Sequence, residues 1–592
     1  MDMDDMRAVA STGQQAQVSA GLRAGVPPGF AAHCDGVYLL PDAGAEESEP
    51  IWLCTPVSVR SRFRNPSGGG WGRIVEVTDP DGRVHEVTLL DSDLEGRPAK
   101  VRALVTDHGL RLRHGSKARQ AFVRLVRDWI PPATLMSTAR VGWIDDTCTA
   151  FVLGDGRVLG DGNVVYLGCQ RSDPVDRCLS AGALDDWRRD VSGLCVGNPL
   201  LVLAVSLAFA GPLLELLNEE GGGLHFRGAS SRGKTTLQRA AVSVWGDPGK
   251  LRSWRTTANG IEDVARSCNG MLLALDEIAE IGGKELENAA YMLANGVGKV
   301  RADAFGRSAP PARWRVAILS TGEISLAEKI EEGGARYMAG QAVRILDIEA
   351  DTRRHGAFDA LHGCCDGAAF AELLKRRTAL SHGTAGLAFV DRLLAHKDEV
   401  ARAALAMIGR GVDRTQREFG LHSEGQALRA ARRLAVIAAA GELATHFGLT
   451  GWSRGEALTA AEVAMESWLG AGRRGPSFGV EAAIERTRSF LQANSAGFIG
   501  LGETAHPTSG QTLGWWDGDH FLFRAETWFG LHGQGAQQAA RDLLSADLLV
   551  PGEGKNLGRR TTRAIKGRPR VYAVRSAILN SFGEGTTCQA AL

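Results

Sequence analysis

Eight consecutive residues, Gly228-Ala229-Ser230-Ser231-Arg232-Gly233-Lys234-Thr235, have the G-x-x-x-x-G-K-[ST] spacing that wraps a backbone around phosphates. A short apolar run, Leu224-His225-Phe226, precedes them, and Thr235 to Trp245 reads as a helix. That succession of strand, loop and helix is what the chemistry needs. Gly228 and Gly233 let the chain curl, so that N–H groups around Ser231 and the helix N-terminus converge on phosphate oxygens. Lys234 then reaches the β- and γ-phosphates, the Thr235 hydroxyl is a ligand for Mg²⁺, and Thr236 belongs to the same turn.

Downstream, Met271-Leu272-Leu273-Ala274-Leu275-Asp276-Glu277 is an apolar strand ending in two carboxylates. In a parallel sheet covered on both faces, such a strand presents its last residues at the edge where the phosphates lie. Asp276 is the candidate Mg²⁺ ligand, and Glu277 is the candidate base that orients the attacking water. The pair points to hydrolysis of ATP rather than transfer to a small molecule. The next strand, Arg315 to Thr321, ends in two hydroxyls, and Thr321 or Ser320 is the candidate sensor of the γ-phosphate. In ATPases of the AAA+ type, which this pattern resembles, such a residue lies between the P-loop strand and the carboxylate strand.

Between these two strands, Asn295 to Arg315 reads as a β-hairpin with a turn-rich tip. Lys299 to Arg315 holds five basic residues against one acid. Lys299, Arg301 and Arg307 are the candidates for gripping a DNA phosphate. Arg344 begins a further apolar strand and is the candidate finger for a neighbouring subunit's site, with Arg336 competing for the role. Arg432, on a helix of the following region, is the candidate second sensor of the γ-phosphate.

The elements that must position these groups fit a chain of 592 residues, long enough for about three or four cores. Basic and acidic residues number 68 each, so any nucleic-acid surface must be local. Ten cysteines without a C-x-x-C pair read as reduced thiols in a cytosol rather than a disulfide or zinc framework. The acidic start, Met1-Asp2-Met3-Asp4-Asp5, is unlike a signal peptide. Pro199 to Leu217 is apolar but carries Gly211-Pro212 and Glu215, and reads as a buried helix. A cytoplasmic protein is expected.

Six segments are expected along the chain. Residues 1–32 are a leader, and 33–169 an α+β accessory domain with helical patches at Ala99–Asp107 and Ala118–Trp129. Residues 170–350 alternate strands and helices as an α/β core. Residues 351–475 are Ala-rich and helical. Residues 476–580 resemble a winged helix, and 581–592 are a tail. Within 476–580, Lys555 to Arg575 carries eight basic residues and no acid. Arg559, Arg560, Arg563 and Lys566 are the candidate phosphate contacts there.

The string Gly228-Ala-Ser-Ser-Arg-Gly-Lys-Thr-Thr236, followed by Ser243-Val-Trp-Gly-Asp-Pro248, resembles a P-loop family of phages, plasmids and chromosomal cassettes long catalogued as a domain of unknown function. The likeness continues through Trp254-Arg-Thr-Thr257, Leu275-Asp-Glu277, Tyr291-Met-Leu-Ala-Asn-Gly296, Ser320-Thr-Gly-Glu323, Gly340-Gln-Ala-Val-Arg344 and Ala440-Gly-Glu-Leu443. Some members resemble the MCM replicative helicases, hexameric AAA+ rings with a pre-sensor hairpin and a C-terminal winged helix. The resemblance implies an α/β AAA+-type P-loop NTPase core with an α+β N-terminal domain, a helical lid and a C-terminal winged-helix-like domain. It implies ATP and Mg²⁺ as ligands and a homo-hexamer moving on single-stranded or forked DNA for replication of a mobile element. Any primase or polymerase would be a separate chain. The alternative is an origin initiator or loader, or a DNA-bound ATPase switch, without processive unwinding. The stretch between the P-loop helix and Asp276 is short and leaves little room for the long helix-two insert of MCM proteins.

Overall fold

The computed structural model describes residues 25–579 except 42–48, 169–178, 250, 256, 300, 303–307, 310, 335–342, 422–424, 475–479, 502–511, 533–535, 553–555, 562–564 and 566–567. At its centre lies a five-stranded parallel sheet. Its strands are β1 (Gly222–Arg227), β2 (Arg252–Ser253), β3 (Leu272–Asp276), β4 (Ala317–Gly322) and β5 (Ile345–Glu349), in the spatial order β2-β3-β4-β1-β5. All four pairings are parallel. The strand ending in Thr321-Gly322 therefore separates the P-loop strand from the carboxylate strand, as the sequence led us to expect.

Alternation along the strands explains the layers. Leu224 and Phe226 of β1, Ala274 of β3 and Leu319 of β4 face one core, built with helices α1 (Pro199–Leu216) and α2 (Lys234–Val242). Leu273 and Leu275 of β3 and Ile318 of β4 face a second core. That core is shared with α3 (Ala258–Ser267), α4 (Gly283–Asn295) and α5 (Leu326–Glu332). Both faces are covered, which is why these strands read as unbroken apolar runs.

α1 is long and apolar enough to cross a bilayer, yet its residues from Leu200 to Leu214 are buried in the fold. It packs on α2 and β4, and on its other side on α9 (Gly425–His446) and α10 (Glu456–Arg474). Before these two come α6 (Gly367–Leu380), α7 (Thr384–Ala395) and α8 (Lys397–Phe419). The alanine run of α9 lets it approach α1 closely: a Cβ on Gly441 would lie 2.2 Å from Ser206 Oγ.

N-terminal to the core, a five-stranded mixed sheet centred on Val57–Arg64 packs against the helices Pro98–Asp107 and Ser116–Asp128. C-terminal to it, helices Val480–Asn494, Ala525–His532 and Ala536–Ser545 pack on a sheet that contains His520–Arg524 and Arg570–Arg575.

Candidate nucleotide site

The P-loop leaves β1 at Gly228 and ends where α2 begins at Lys234. Gly228 has φ +158° and Gly233 φ +102°, and Ser231 between them adopts φ +60°. Only glycine suits position 233: a Cβ there would lie 2.7 Å from Cζ of Phe358, in a conformation L side chains avoid. Lys234 is buried, and its Nζ donates to the carbonyls of Gly228 and Ala229, at 2.7 Å each. The lysine is thus folded over its own loop. Thr235 is exposed at the first turn of α2, where a hydroxyl can reach a metal, and Thr236 is half-buried.

The carboxylate edge lies two strands away. Asp276 Oδ1 accepts from the Thr321 hydroxyl and, at 3.1 Å, from the Glu277 amide. Among the described residues Oδ2 has no protein donor, so one oxygen is anchored and the other is open. Glu277 sits at φ +52°, a left-handed conformation costly for a residue with a Cβ, of order 1–3 kcal/mol. Its carboxylate accepts from the Ala279 amide at 3.2 Å and caps the short turn Ile278–Glu280.

The two hydroxyls of β4 have different partners. Ser320 is fully buried on the far side of the strand, where it accepts from Trp254 Nε1 at 2.9 Å. It also contacts His225 Nδ1 at 2.8 Å. His225 Nε2 faces the Ile324 carbonyl at 2.9 Å and must carry the proton, so Ser320 donates to Nδ1. Burial pushes the His225 pKa down to about 4, which keeps the ring neutral in this chain of bonds. Asp347 on β5, half-buried, is pushed up to about 7, chiefly by desolvation. Ser320 therefore braces the strand, and Thr321 alone touches Asp276.

A second segment, which the sequence reading missed, builds the underside of the loop. Asp351, just past β5, accepts from the Ala229 amide at 2.9 Å. The Ala357 amide donates to the Arg232 carbonyl at 2.8 Å, and Phe358 lies beneath Gly233. No periodicity marks these residues. Only their position after the fifth strand, alongside β1, brings them to the phosphate loop. Asp351→Ala removes the carboxylate that fixes the start of the loop. Nucleotide affinity is expected to fall about tenfold, as for loss of one charge-assisted hydrogen bond, in a fluorescent-nucleotide titration.

The other candidates are scattered. Arg344 precedes β5 at the opposite end of the sheet: its carbonyl accepts from the Gly223 amide, and its guanidinium lies 5.1 Å from the centre of the Tyr291 ring. Arg336 lies outside the described residues. Arg432 is a correction. It pairs with Glu219, on the loop leading into β1, and so stands the length of that six-residue strand, roughly 20 Å, from its own P-loop. A lid contact from Arg432 to the γ-phosphate within one chain does not fit this geometry.

The hairpin forms, with Arg301–Ala302 antiparallel to Ser308–Ala309 and a further bridge between Val297 and Arg313. Lys299 is exposed; Arg307 and the side chain of Arg301 lie outside what is described. Arg315 is a second correction to the hairpin's charge. Its guanidinium is consumed by the carbonyls of Leu214 and Glu219 and by the Asn218 side chain. In the C-terminal region Arg559–Arg560 pairs antiparallel with Arg570 and Val571. Arg560 is exposed and Arg559 half-buried, while Arg563 and Lys566 fall outside the described residues. Among the described residues no cluster of His, Cys, Asp and Glu forms a metal cage.

Residues 30–311 match the family described as "Domain of unknown function (DUF927)". Among solved structures, the chain is similar to one described as "SCCmec type IV Cch - active helicase". The likeness has a TM-score of 0.66 and 19% identity, and covers 93% of this chain and 98% of that one. The two share a fold. A search of the curated proteins finds no match. The structural likeness spans all three regions described above, so it is not confined to the P-loop and its sheet.

Proposed function

We propose that the chain is an ATP-hydrolysing AAA+ ring motor that translocates on and unwinds DNA for a mobile element. One observation carries the reading. Lys234, Asp276, Glu277 and Thr321 gather at the C-terminal edge of the sheet, and Arg344 stands at its N-terminal edge. A finger so placed is out of reach of its own chain's nucleotide, which supports a site shared between subunits. The helicase described for the structural neighbour and the cassette in its description support DNA as the track.

In this reading, the loop amides and Lys234 hold the phosphates. Thr235 and the open oxygen of Asp276 would hold Mg²⁺, which supplies charge neutralisation at the β- and γ-phosphates. Glu277 accepts a proton from the attacking water, and Thr321 reports the γ-phosphate to β4 through its bond to Asp276. β4 continues backwards into the hairpin, so a shift at Thr321 has a direct mechanical route to Lys299 and Arg301. The Arg559–Arg560 strand supplies a second, sequence-independent grip on DNA.

The reading is tested by ATP hydrolysis with and without a forked duplex. Stimulation by the fork supports it; hydrolysis indifferent to DNA overturns it. The double variant Lys299→Ala, Arg301→Ala is expected to lower DNA affinity about tenfold and to remove most of that stimulation. Stimulation at the parental level in the double variant removes the hairpin from the DNA track.

A further inference from the structure

A cavity of about 660 Å³ opens at the N-terminal edge of the central sheet, away from the chain's own P-loop. Leu207, Leu214 and Ile437 line its apolar floor, and Arg344, Arg429 and Arg432 stand at its rim. Arg433 also lines it but is committed to structure, donating to the carbonyls of Val343 and Gly221. Arg429 is exposed, and among the described residues neither it nor Arg344 has a carboxylate partner. Arg432 does have one. Glu219 reaches in from the loop after α1 and takes the Arg432 guanidinium through both of its oxygens, with Nε to Oε2 at 3.2 Å.

The backbone of the same residue points elsewhere. The Glu219 carbonyl accepts from Arg315 Nη1 at 2.8 Å, beside bonds from that guanidinium to Leu214 O at 3.1 Å and Asn218 Oδ1 at 2.7 Å. Arg315 lies two residues beyond Arg313, which closes the base of the hairpin opposite Val297. One short loop, residues 217–220, thus joins an arginine pocket to the root of the DNA-facing hairpin.

We propose that Glu219 is a positioning residue that stands in for phosphate: it holds Arg432 in the pocket until the nucleotide polyphosphate bound by a second copy of the chain takes its place. The proposal rests on the shared-site reading above. A carboxylate and a phosphate compete for a guanidinium through the same fork geometry. While Glu219 is engaged, Arg432 is neutralised and the pocket offers the neighbour only part of its charge. A pull on the hairpin reaches Glu219 through Arg315, withdraws its carboxylate, and frees Arg432 for the neighbouring γ-phosphate. By reciprocity, phosphate in the pocket expels Glu219 and moves the hairpin root. DNA stimulation of hydrolysis is, in this account, the release of an internal competitor.

The test is steady-state ATP hydrolysis by the full chain, with and without forked DNA, for the parent, Glu219→Gln, Arg432→Ala, the double variant and Arg344→Ala. Glu219→Gln keeps the side chain's size and removes its charge. It is expected to raise DNA-free kcat, lower KM for ATP, and cut the ratio of stimulated to basal rate about fivefold or more. In the Arg432→Ala background the same change is expected to do nothing, because its target is gone. A parental ratio in Glu219→Gln, or an equal effect with and without Arg432, overturns the proposal while a dead Arg344→Ala leaves the shared site standing. Parental hydrolysis by Arg344→Ala instead overturns the shared site itself.

Discussion

Lys234→Ala is expected to lower ATP affinity by about 10²–10⁴-fold, and hydrolysis at cellular ATP falls with it. The estimate follows from two charge-assisted hydrogen bonds to phosphate oxygens at about 1.5–3 kcal/mol each. The structure adds a reason for the upper part of that range. The ammonium group spans the carbonyls of Gly228 and Ala229, so it also shapes the loop. Removing it takes the Lys234 donor from both carbonyls, beside the Asp351 carboxylate that holds the Ala229 amide. Phosphate would then enter a loop with less positive charge and less order. Nucleotide titration by fluorescence measures the loss directly, and near-parental affinity would place the phosphates somewhere other than this loop.

Glu277→Gln is expected to separate binding from chemistry. Loss of a positioned general base costs about 10²–10⁴-fold in kcat, and Gln keeps the shape of the side chain. Nucleotide affinity stays near the parental value because the Glu277 carboxylate caps a turn through the Ala279 amide and does not hold the P-loop. The strained backbone at φ +52° is a property of the position and persists in the variant. On the proposed reading, a variant unable to hydrolyse is expected to remain on DNA when ATP is present. Single-turnover hydrolysis beside an ATP-dependent DNA-retention assay reads both effects. Parental turnover in this variant would move the base to another carboxylate.

How far such roles could be read without coordinates depends on the length of the element that carries them. The P-loop, β3, β4 and α9 announce themselves because each is a long apolar pattern or a fixed motif. β2 does not: Arg252–Ser253 is two residues long, too short to show any period, yet it forms one edge of the sheet and brings in Trp254. Ser320 and Thr321 are adjacent hydroxyls on one strand and cannot be ranked by composition. They diverge because neighbours on a strand face opposite sides, one toward His225 and one toward Asp276.

Asp351 and Phe358 escaped notice because they belong to the P-loop only through the parallel pairing of β1 with β5. Arg432 could not be placed from the sequence for the complementary reason. A helix can be recognised from its alanines, but which end of the sheet it crosses is set by packing on α1, and that packing sends Arg432 to Glu219. Arg315 shows the same limit for charge counting, since a basic residue in a basic stretch is consumed by the carbonyls of Leu214 and Glu219 and by the exposed Asn218 side chain.

The central claim is strand separation powered by ATP, and a forked DNA duplex with a labelled strand tests it most directly. The account predicts ATP-dependent release of the strand by the parent chain, and none by Glu277→Gln at equal protein and nucleotide. A duplex that stays intact while the parent hydrolyses ATP on the fork at a stimulated rate would contradict it, and would leave a DNA-bound ATPase that does not unwind.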